Sequence, residues 1–323
     1  MGAQVVERVF PPDLRERLGR GTRLAAAPLT GALDGPDAAR VLAGTEILIT
    51  GWDCPPLTER VLASAPRLRA VIHAAGSVRP VATDAVWERG LLVSSAADAN
   101  ARPVVAFTLA AIAFAAKGAL GAAAGYATAW PGFAAREGAD GRVVGVVGAS
   151  RIGRGVIEAL RADEAGYRVL LCDPYVDEAG AARLGAERVE LAELCRRSSI
   201  VTLHAPLLPS TTGMLSAEML SLIPDGGTVV NTARGALLDT EALAAECWAG
   251  RLSAFLDVTD PEPLPAGHAL LGLPSVLVTP HVAGAQGSEV RRLGLYAVEE
   301  VERVVRGEPL RGLTTRSDMT RLA

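Results

Sequence analysis

Aromatic residues make up only 4% of the 323 residues, and there are just four cysteines and four histidines. Half of the chain is nevertheless apolar, so its core has to be aliphatic. Cys54, Cys172, Cys195 and Cys247 are scattered and form no C-x-x-C pair. That pattern reads as buried free thiols of a reducing cytoplasm rather than a disulfide framework. The spacing, with so few histidines, also argues against zinc. Charge of one sign is not in large excess: the net charge of −4 gives no electrostatic reason to expect nucleic acid or an anionic membrane as partner. The opening "MGAQVVERVFPPDLRERLG" lacks the basic start and apolar core of a signal peptide. No apolar run is expected to span a bilayer without a charge or glycine interrupting it. No repeat of 20–50 residues and no low-complexity tract is visible.

What is present is an alternation. The length exceeds what one core usually serves, so two domains are expected. "EILITG", "LRAVIHAAG" and "GLLVSS" read as buried parallel strands, with the helical stretches "PPLTERVLASA" and "VATDAVWERG" between them. A long apolar helix is expected over about 101–117, followed by a Gly/Ala stretch and a strand at Val143. "YRVLLCD", "SIVTLHAP", "GTVVNTA", "LSAFLDV" and "SVLVTPH" give five more strands, and a final helix runs over 289–306. This is an α/β chain of two open, doubly wound parallel-sheet halves. The crossing point falls at 101–103. The expected division is 1–102 plus 286–323 against 103–285, with the last helix returning to the first half.

"RVVGVVGASRIGRGVIEAL" places a strand, a tight turn and a helix in succession. Gly148 and Gly153 are the outer glycines of a G-x-G-x-x-G dinucleotide fingerprint, and Ser150 stands where the middle glycine belongs. The serine crowds a phosphate or donates its hydroxyl to it. The helix N-terminus behind it favours an anion in either case. Twenty residues beyond Gly153, Asp173 ends the next strand. A carboxylate there accepts ribose hydroxyls and repels a 2′-phosphate, which favours NAD over NADP.

In such sheets, ligands lie beyond the carboxyl ends of the strands. The strands of the second half end in His204, Arg234, Asp257 and His281, and Glu262 comes after Asp257 in a proline-rich loop. Each has an ordinary structural reading alone, but their arrival on one edge suggests a chemistry. An arginine holds a carboxylate in a bidentate fork and polarises the adjacent carbonyl. A histidine exchanges the proton that accompanies hydride transfer, and a neighbouring glutamate fixes its tautomer and favours its charged form. Asp257 is placed to receive the carboxamide N–H of a nicotinamide.

"GVVGASRIGR", "LHAPLLPSTTGML", "NTARGALLD", "LDVTDPEPLP" and "TPHVAG" stand in the order found in the D-2-hydroxyacid dehydrogenase family, which this chain resembles over nearly all of 145–284. "ANARPVVAFTLA" and "AGSV" extend the match into the first half. The resemblance implies that Arg234 binds the substrate carboxylate, that Glu262 and His281 are the acid/base pair and that Asp257 contacts the nicotinamide. Arg151 and Ile152 would lie under the pyrophosphate beside Gly148 and Ser150, with Asp173 on the ribose. His204, Ala205 and Pro206, together with Thr232 and Ala233, would flank the nicotinamide riboside, and Gly284 would close the cofactor set. Gly76, Ser77 and Val78 resemble the loop whose backbone N–H groups hold the substrate acid. The implied fold is a flavodoxin-like substrate domain hinged to a Rossmann domain, with the active-site cleft between them. The implied assembly is a homodimer through the coenzyme domains.

Three features depart from the family pattern: Ser150, Ala106 in place of a common glutamate, and Trp52-Asp53-Cys54 where phosphoglycerate-type members offer a basic residue. With no regulatory domain after the final helix, these features disfavour phosphoglycerate as substrate. Trp52 and His73 are candidates for the substrate pocket. The expected function is NAD-linked hydride transfer to a small 2-oxo acid. The alternatives are an NAD-sensing corepressor of the same fold and a variant acting on another small anion, formate or phosphite.

Overall fold

The computed structural model describes residues 2–128 and 130–320. The chain divides into two compact units, Arg102–Gly284 and the described residues up to Ala101 together with those from Ala285 onward. The strands in chain order are β1 (Ile47–Thr50), β2 (Ala70–His73), β3 (Leu92–Ser95), β4 (Val143–Val147), β5 (Arg168–Cys172), β6 (Glu187–Arg188), β7 (Ile200–Leu203), β8 (Thr228–Asn231), β9 (Ser253–Leu256), β10 (Val276–Val278) and β11 (Leu313–Thr314).

The larger unit holds a seven-stranded sheet in the order β10-β9-β8-β7-β4-β5-β6, parallel throughout. Its central strands β4, β5, β7, β8 and β9 are largely apolar because both faces are covered. Val144, Val146, Leu171, Ile200 and Phe255 enter one core. Val147, Leu170, Val201, Leu203 and Leu256 enter the other. From β4 the chain winds outward through β5 and β6, then returns to β7 on the opposite side of β4. The order therefore reverses between β4 and β7, which is where a doubly wound sheet opens a crevice.

The smaller unit contains the order β1-β2-β3-β11, with β1 to β3 parallel and β11 antiparallel to β3. Ala70 and Ile72 pack with Leu14, Leu293 and Val298 on one face. Val71 and Val93 pack with Leu42, Leu57 and Val86 on the other. This sheet is covered on both faces, but its order contains no reversal, unlike the flavodoxin-like pattern. The reason lies in the first 42 residues, which form the helices Ala3–Val9, Pro12–Gly21 and Pro36–Leu42 instead of strands beside β1. Leu14 and Leu18, four apart, are buried on one side of the second of these.

The helix Ala97–Ala116 is the long apolar helix of the chain, and Asp98 and Arg102 interrupt it, so the expectation of a charge or glycine inside any such run stands. It has 20 residues with a mean hydropathy of 1.5, which by length and composition is enough to cross a bilayer. Its charges sit in the first two turns, at Asp98 and Arg102, and leave the remainder apolar. Val104, Thr108, Ala111 and Ile112 form a buried stripe along it, and Ala111 and Ile112 join the core around Val144 and Val146. The four cysteines are free thiols, two of them buried and two partly buried. Burial pushes Cys172 up to about 11 and both Cys195 and Cys247 up to about 12, so these groups stay protonated near neutrality.

The edge of the smaller sheet is fastened by a buried carboxylate. Glu300, in the helix Val290–Arg306, is fully buried. It accepts hydrogen bonds from Ser94 Oγ at 2.5 Å and from the Arg311 and Gly312 N–H groups at 3.1 Å each. One side chain thereby ties β3 and the entry to β11 to the last helix. Glu300→Ala leaves those donors without their acceptor in a buried place. The expected loss is about 3–5 kcal/mol in urea unfolding, and a loss below about 1 kcal/mol would show that the fastening is dispensable.

Candidate functional site

The turn after β4 depends on its outer glycines. Gly148 has φ +97°, and a Cβ there would lie 2.6 Å from the Ala205 amide nitrogen. A Cβ on Gly153 would lie 2.0 Å from the Gly148 carbonyl oxygen. Neither position can carry a side chain without moving backbone. Ser150 is different: at φ −64° and ψ 178° it is the N-cap of the helix Arg151–Ala162, and its hydroxyl accepts the Gly153 N–H at 3.3 Å. The cap uses the oxygen as acceptor and leaves the hydroxyl proton to donate. The helix buries Val156, Ile157 and Leu160, which aims its N-terminus at the end of β4. Ile152, half-buried, and Arg151, exposed, open that helix.

Asp173 braces the same turn. Its Oδ2 accepts the Ala149 N–H at 2.7 Å, and its Oδ1 accepts the Tyr175 N–H at 2.8 Å. Arg154 Nε donates to the Ala149 carbonyl at 2.9 Å, a contact that the motif does not announce. His204 is a correction to the reading that its imidazole joins the exposed edge. The residue is only 3% exposed, and its Nε2 is paired with Thr202 Oγ1 at 2.9 Å. Burial pushes its pKa down to about 3, so the ring is neutral. His204 presents backbone to the glycine turn, as does Ala205; Pro206 is next in the same segment.

Beyond β8, Asn231 organises the turn. Its Nδ2 donates to the Arg234 carbonyl at 2.9 Å and its Oδ1 accepts the Ala233 N–H at 3.0 Å. Thr232 and Ala233 are both 8% exposed, and Thr232 Oγ1 meets Thr108 Oγ1 at 2.8 Å. The Arg234 guanidinium lies over its own turn, donating to the Ala233 carbonyl at 2.6 Å. Gly235 then abuts the loop after β9: a Cβ on it would fall 2.0 Å from the Thr259 carbonyl. Arg234 is thus carried beside the loop that bears Glu262.

Asp257 comes directly after β9 and is 2% exposed. Its Oδ1 accepts from Thr279 Oγ1 at 2.6 Å and from the Val282 N–H at 2.8 Å, and its Oδ2 accepts from the Ala283 N–H at 2.8 Å. These bonds wrap the segment after β10 around the carboxylate. At the top of the wrap His281 has φ +54°, and its N–H donates to the Asp257 and Thr279 carbonyls at 2.9 Å each. The His281 Nδ1 meets Glu262 Oε1 at 2.8 Å, with both side chains about half exposed. Nδ1 faces the carboxylate, so Nε2 is the nitrogen left for proton exchange. Gly284, half-buried, ends this unit.

In the smaller unit, Gly76 to Val78 lie in the loop after β2. None of their three N–H groups donates to another described group. Trp52, 37% exposed, is in the turn after β1, and His73 ends β2 with only 4% exposure. Sequence reasoning does not single out Asn231, Thr279 or Thr108. Asn231 stands inside the quoted "NTARG", Thr279 inside "TPHVAG" and Thr108 inside "ANARPVVAFTLA", but residue type alone marks none of the three as a site residue.

Residues 110–283 match the family model described as D-isomer specific 2-hydroxyacid dehydrogenase, NAD binding domain. The chain is 32% identical over 256 residues to the D-3-phosphoglycerate dehydrogenase of Methanocaldococcus jannaschii, a match covering 78% of this chain and 48% of that one. It is 33% identical over 276 residues to the (S)-sulfolactate dehydrogenase of Chromohalobacter salexigens, covering 83% and 88%. A crystal structure of a Thermus thermophilus protein superposes with a TM-score of 0.73 at 30% identity, covering 98% of this chain and 97% of that one. The chain spans about half the length of the D-3-phosphoglycerate dehydrogenases it matches. It belongs to the D-isomer-specific 2-hydroxyacid dehydrogenase family, and residues 110–283 are its NAD-binding domain.

Proposed function

We propose that the chain is an NAD-dependent oxidoreductase that interconverts a small 2-oxo acid and a D-2-hydroxy acid. The observation that carries this reading is the 2.8 Å His281–Glu262 pair on the same strand edge as Arg234 and the glycine turn. The turn suits a dinucleotide. The first N–H groups of the helix Arg151–Ala162 lack intrahelical acceptors, Ser150 adds a hydroxyl proton, and the Asp173 carboxylate lies against the turn. Bound NADH supplies the hydride. Arg234 and the Gly76–Val78 amides hold the acid, and the guanidinium polarises the adjacent carbonyl. His281, with Nδ1 on Glu262, delivers the proton from Nε2 to the carbonyl oxygen; in the reverse direction it removes the hydroxyl proton. Thr232, Ala233 and Asp257 belong to the nicotinamide end, and His204, Ala205 and Pro206 contribute backbone there.

Named relatives support the substrate class, as they include a sulfolactate dehydrogenase and a hydroxypyruvate reductase. The corepressor and the formate or phosphite alternatives draw no observation in their favour. The proposed assembly is a homodimer through the NAD-binding domain. Phe114, Tyr126, Trp130 and Phe133 are 56–88% exposed, and the intervening helix Ala119–Ala124 buries nothing. The Tyr126 and Trp130 rings meet at 5.2 Å, and exposed aromatics of this kind would be covered in the proposed dimer. A cytoplasmic location goes with this reading and is consistent with the free thiols.

Absorbance of NADH followed against a panel of 2-oxo acids tests the activity, with His281→Ala slowing turnover by ~10²–10⁴-fold. An unchanged rate would remove the assigned role of His281. Asp173→Ala is expected to narrow the preference for NADH over NADPH; an unaltered ratio contradicts the ribose assignment. Sedimentation should give twice the 33.4 kDa chain mass, and a monomer at micromolar concentration sinks the dimer.

A further inference from the structure

The C-terminal edge of the smaller parallel sheet carries a row of buried polar residues. Thr50, His73 and Ser95 lie in register across β1, β2 and β3, and they are 1%, 4% and 5% exposed. The His73 Nδ1 meets Thr50 Oγ1 at 2.9 Å. Burial pushes the His73 pKa down to about 4, so the ring sits there uncharged, with the nearby Ser77 backbone as the smaller, opposing influence. The proposed reaction assigns this imidazole no task. A polar ring at this depth, in the strand that leads into the acid-binding loop, calls for a reason.

The loop itself supplies one. It is tied at its start by the Ala74 N–H on the Thr50 carbonyl at 2.8 Å. At its end the Val81 and Ala82 N–H groups donate to the Val78 carbonyl at 3.0 and 2.8 Å. Between these ties, the N–H groups of Gly76, Ser77 and Val78 donate to no described group. Two side chains set the path of that stretch. Asn100 approaches Gly76 closely enough that a Cβ there would lie 3.2 Å from its Nδ2. The His73 ring reaches the Ser77 backbone. Amides that receive an anion act best when they are already aimed, because no ordering is then left to the moment of binding.

We propose that His73 is a positioning residue, whose buried ring bridges Thr50 and the Ser77 backbone and so aims the Gly76–Val78 amides at the substrate carboxylate. The inference rests on the proposed 2-oxo acid activity and extends it to a residue that does not touch substrate. The uncharged state matters to this role: a neutral ring holds the loop without competing with the amides for the acid. Thr50 is the support of that ring, and its loss should act through the same route.

The test uses the full chain with NADH and its best 2-oxo acid. His73→Leu removes both ring contacts at similar volume, Thr50→Val removes the hydroxyl alone, and His73→Gln restores a donor and an acceptor. His73→Leu and Thr50→Val are expected to raise KM for the acid by roughly tenfold to a hundredfold, with kcat changing by less than about threefold. NADH affinity, read by fluorescence titration, should not move. His73→Gln should recover part of the KM, and the Thr50→Val/His73→Leu double variant should be little worse than His73→Leu alone. An unmoved KM, a fall in kcat without a rise in KM, or additive effects in the double variant would overturn the inference. If His73→Leu does not fold, Thr50→Val alone reads the expected rise in KM with little change in kcat, and its failure to raise KM overturns the inference. Wild-type protein that reduces no 2-oxo acid refutes the proposed function and this inference with it. An active wild type with unmoved KM in the variants refutes this inference alone.

Discussion

A carboxyl group taken out of water has to be met by hydrogen-bond donors, and at Asp257 the chain meets that demand by folding around it. Three hydrogen bonds from Thr279, Val282 and Ala283 converge on one side chain that is 2% exposed. The donors come from a segment of five residues, and satisfying all three forces that segment into a tight wrap. His281 sits at its crest with a left-handed backbone, a conformation uncommon outside glycine that histidine adopts more readily than most residues. The three bonds offset the cost of that conformation. The buried Asp257 side chain is thus what sets the imidazole where Glu262 can reach it.

The sheet supplies the rest of the alignment. Parallel pairing brings the carboxyl ends of β4, β7, β8, β9 and β10 out on one edge, so the loop leaving each strand starts beside the loop leaving its neighbour. The reversal between β4 and β7 sets the glycine turn next to the backbone of His204 and Ala205, closely enough that Gly148 tolerates no Cβ. Most of the residues between the strands and the site are polar and work on backbone. Asn231 pins the Arg234 turn, Asp173 pins the glycine turn, and Ser150 caps the helix.

Much of this is legible in the residues alone, for identifiable reasons. Strands buried on both faces write themselves as apolar runs, and β1 to β5 and β7 to β10 stand where those runs are. The two-residue strands β6 and β11 leave no such trace, because their pairing is set by neighbours and not by their own composition. Residues at strand ends can be collected on one edge from order alone. The direction of each side chain cannot: His204 ends a strand like His281, yet its ring turns inward to Thr202. Ser150 in the fingerprint poses a question about phosphate. Its answer lies in the helix, where an extended ψ and a capping hydroxyl make a glycine unnecessary at that position. The role of Glu300 is invisible in sequence because Ser94, the strand residue it holds, lies 206 residues away.

The division of the chain also constrains how the protein is made. The larger unit is one uninterrupted stretch, whereas the smaller one is assembled from both ends, and Glu300 and Gly312 come from the later piece. On the ribosome, the first hundred residues emerge with β3 lacking its edge strand and with the core around Ile72 lacking Leu293 and Val298. At roughly 5–20 residues per second, they wait on the order of ten seconds or more for those contacts. Meanwhile Arg102–Gly284 has all of its own strands in hand. Vectorial synthesis therefore favours completing the NAD-binding unit first, with the smaller unit completed only once the last helix is released.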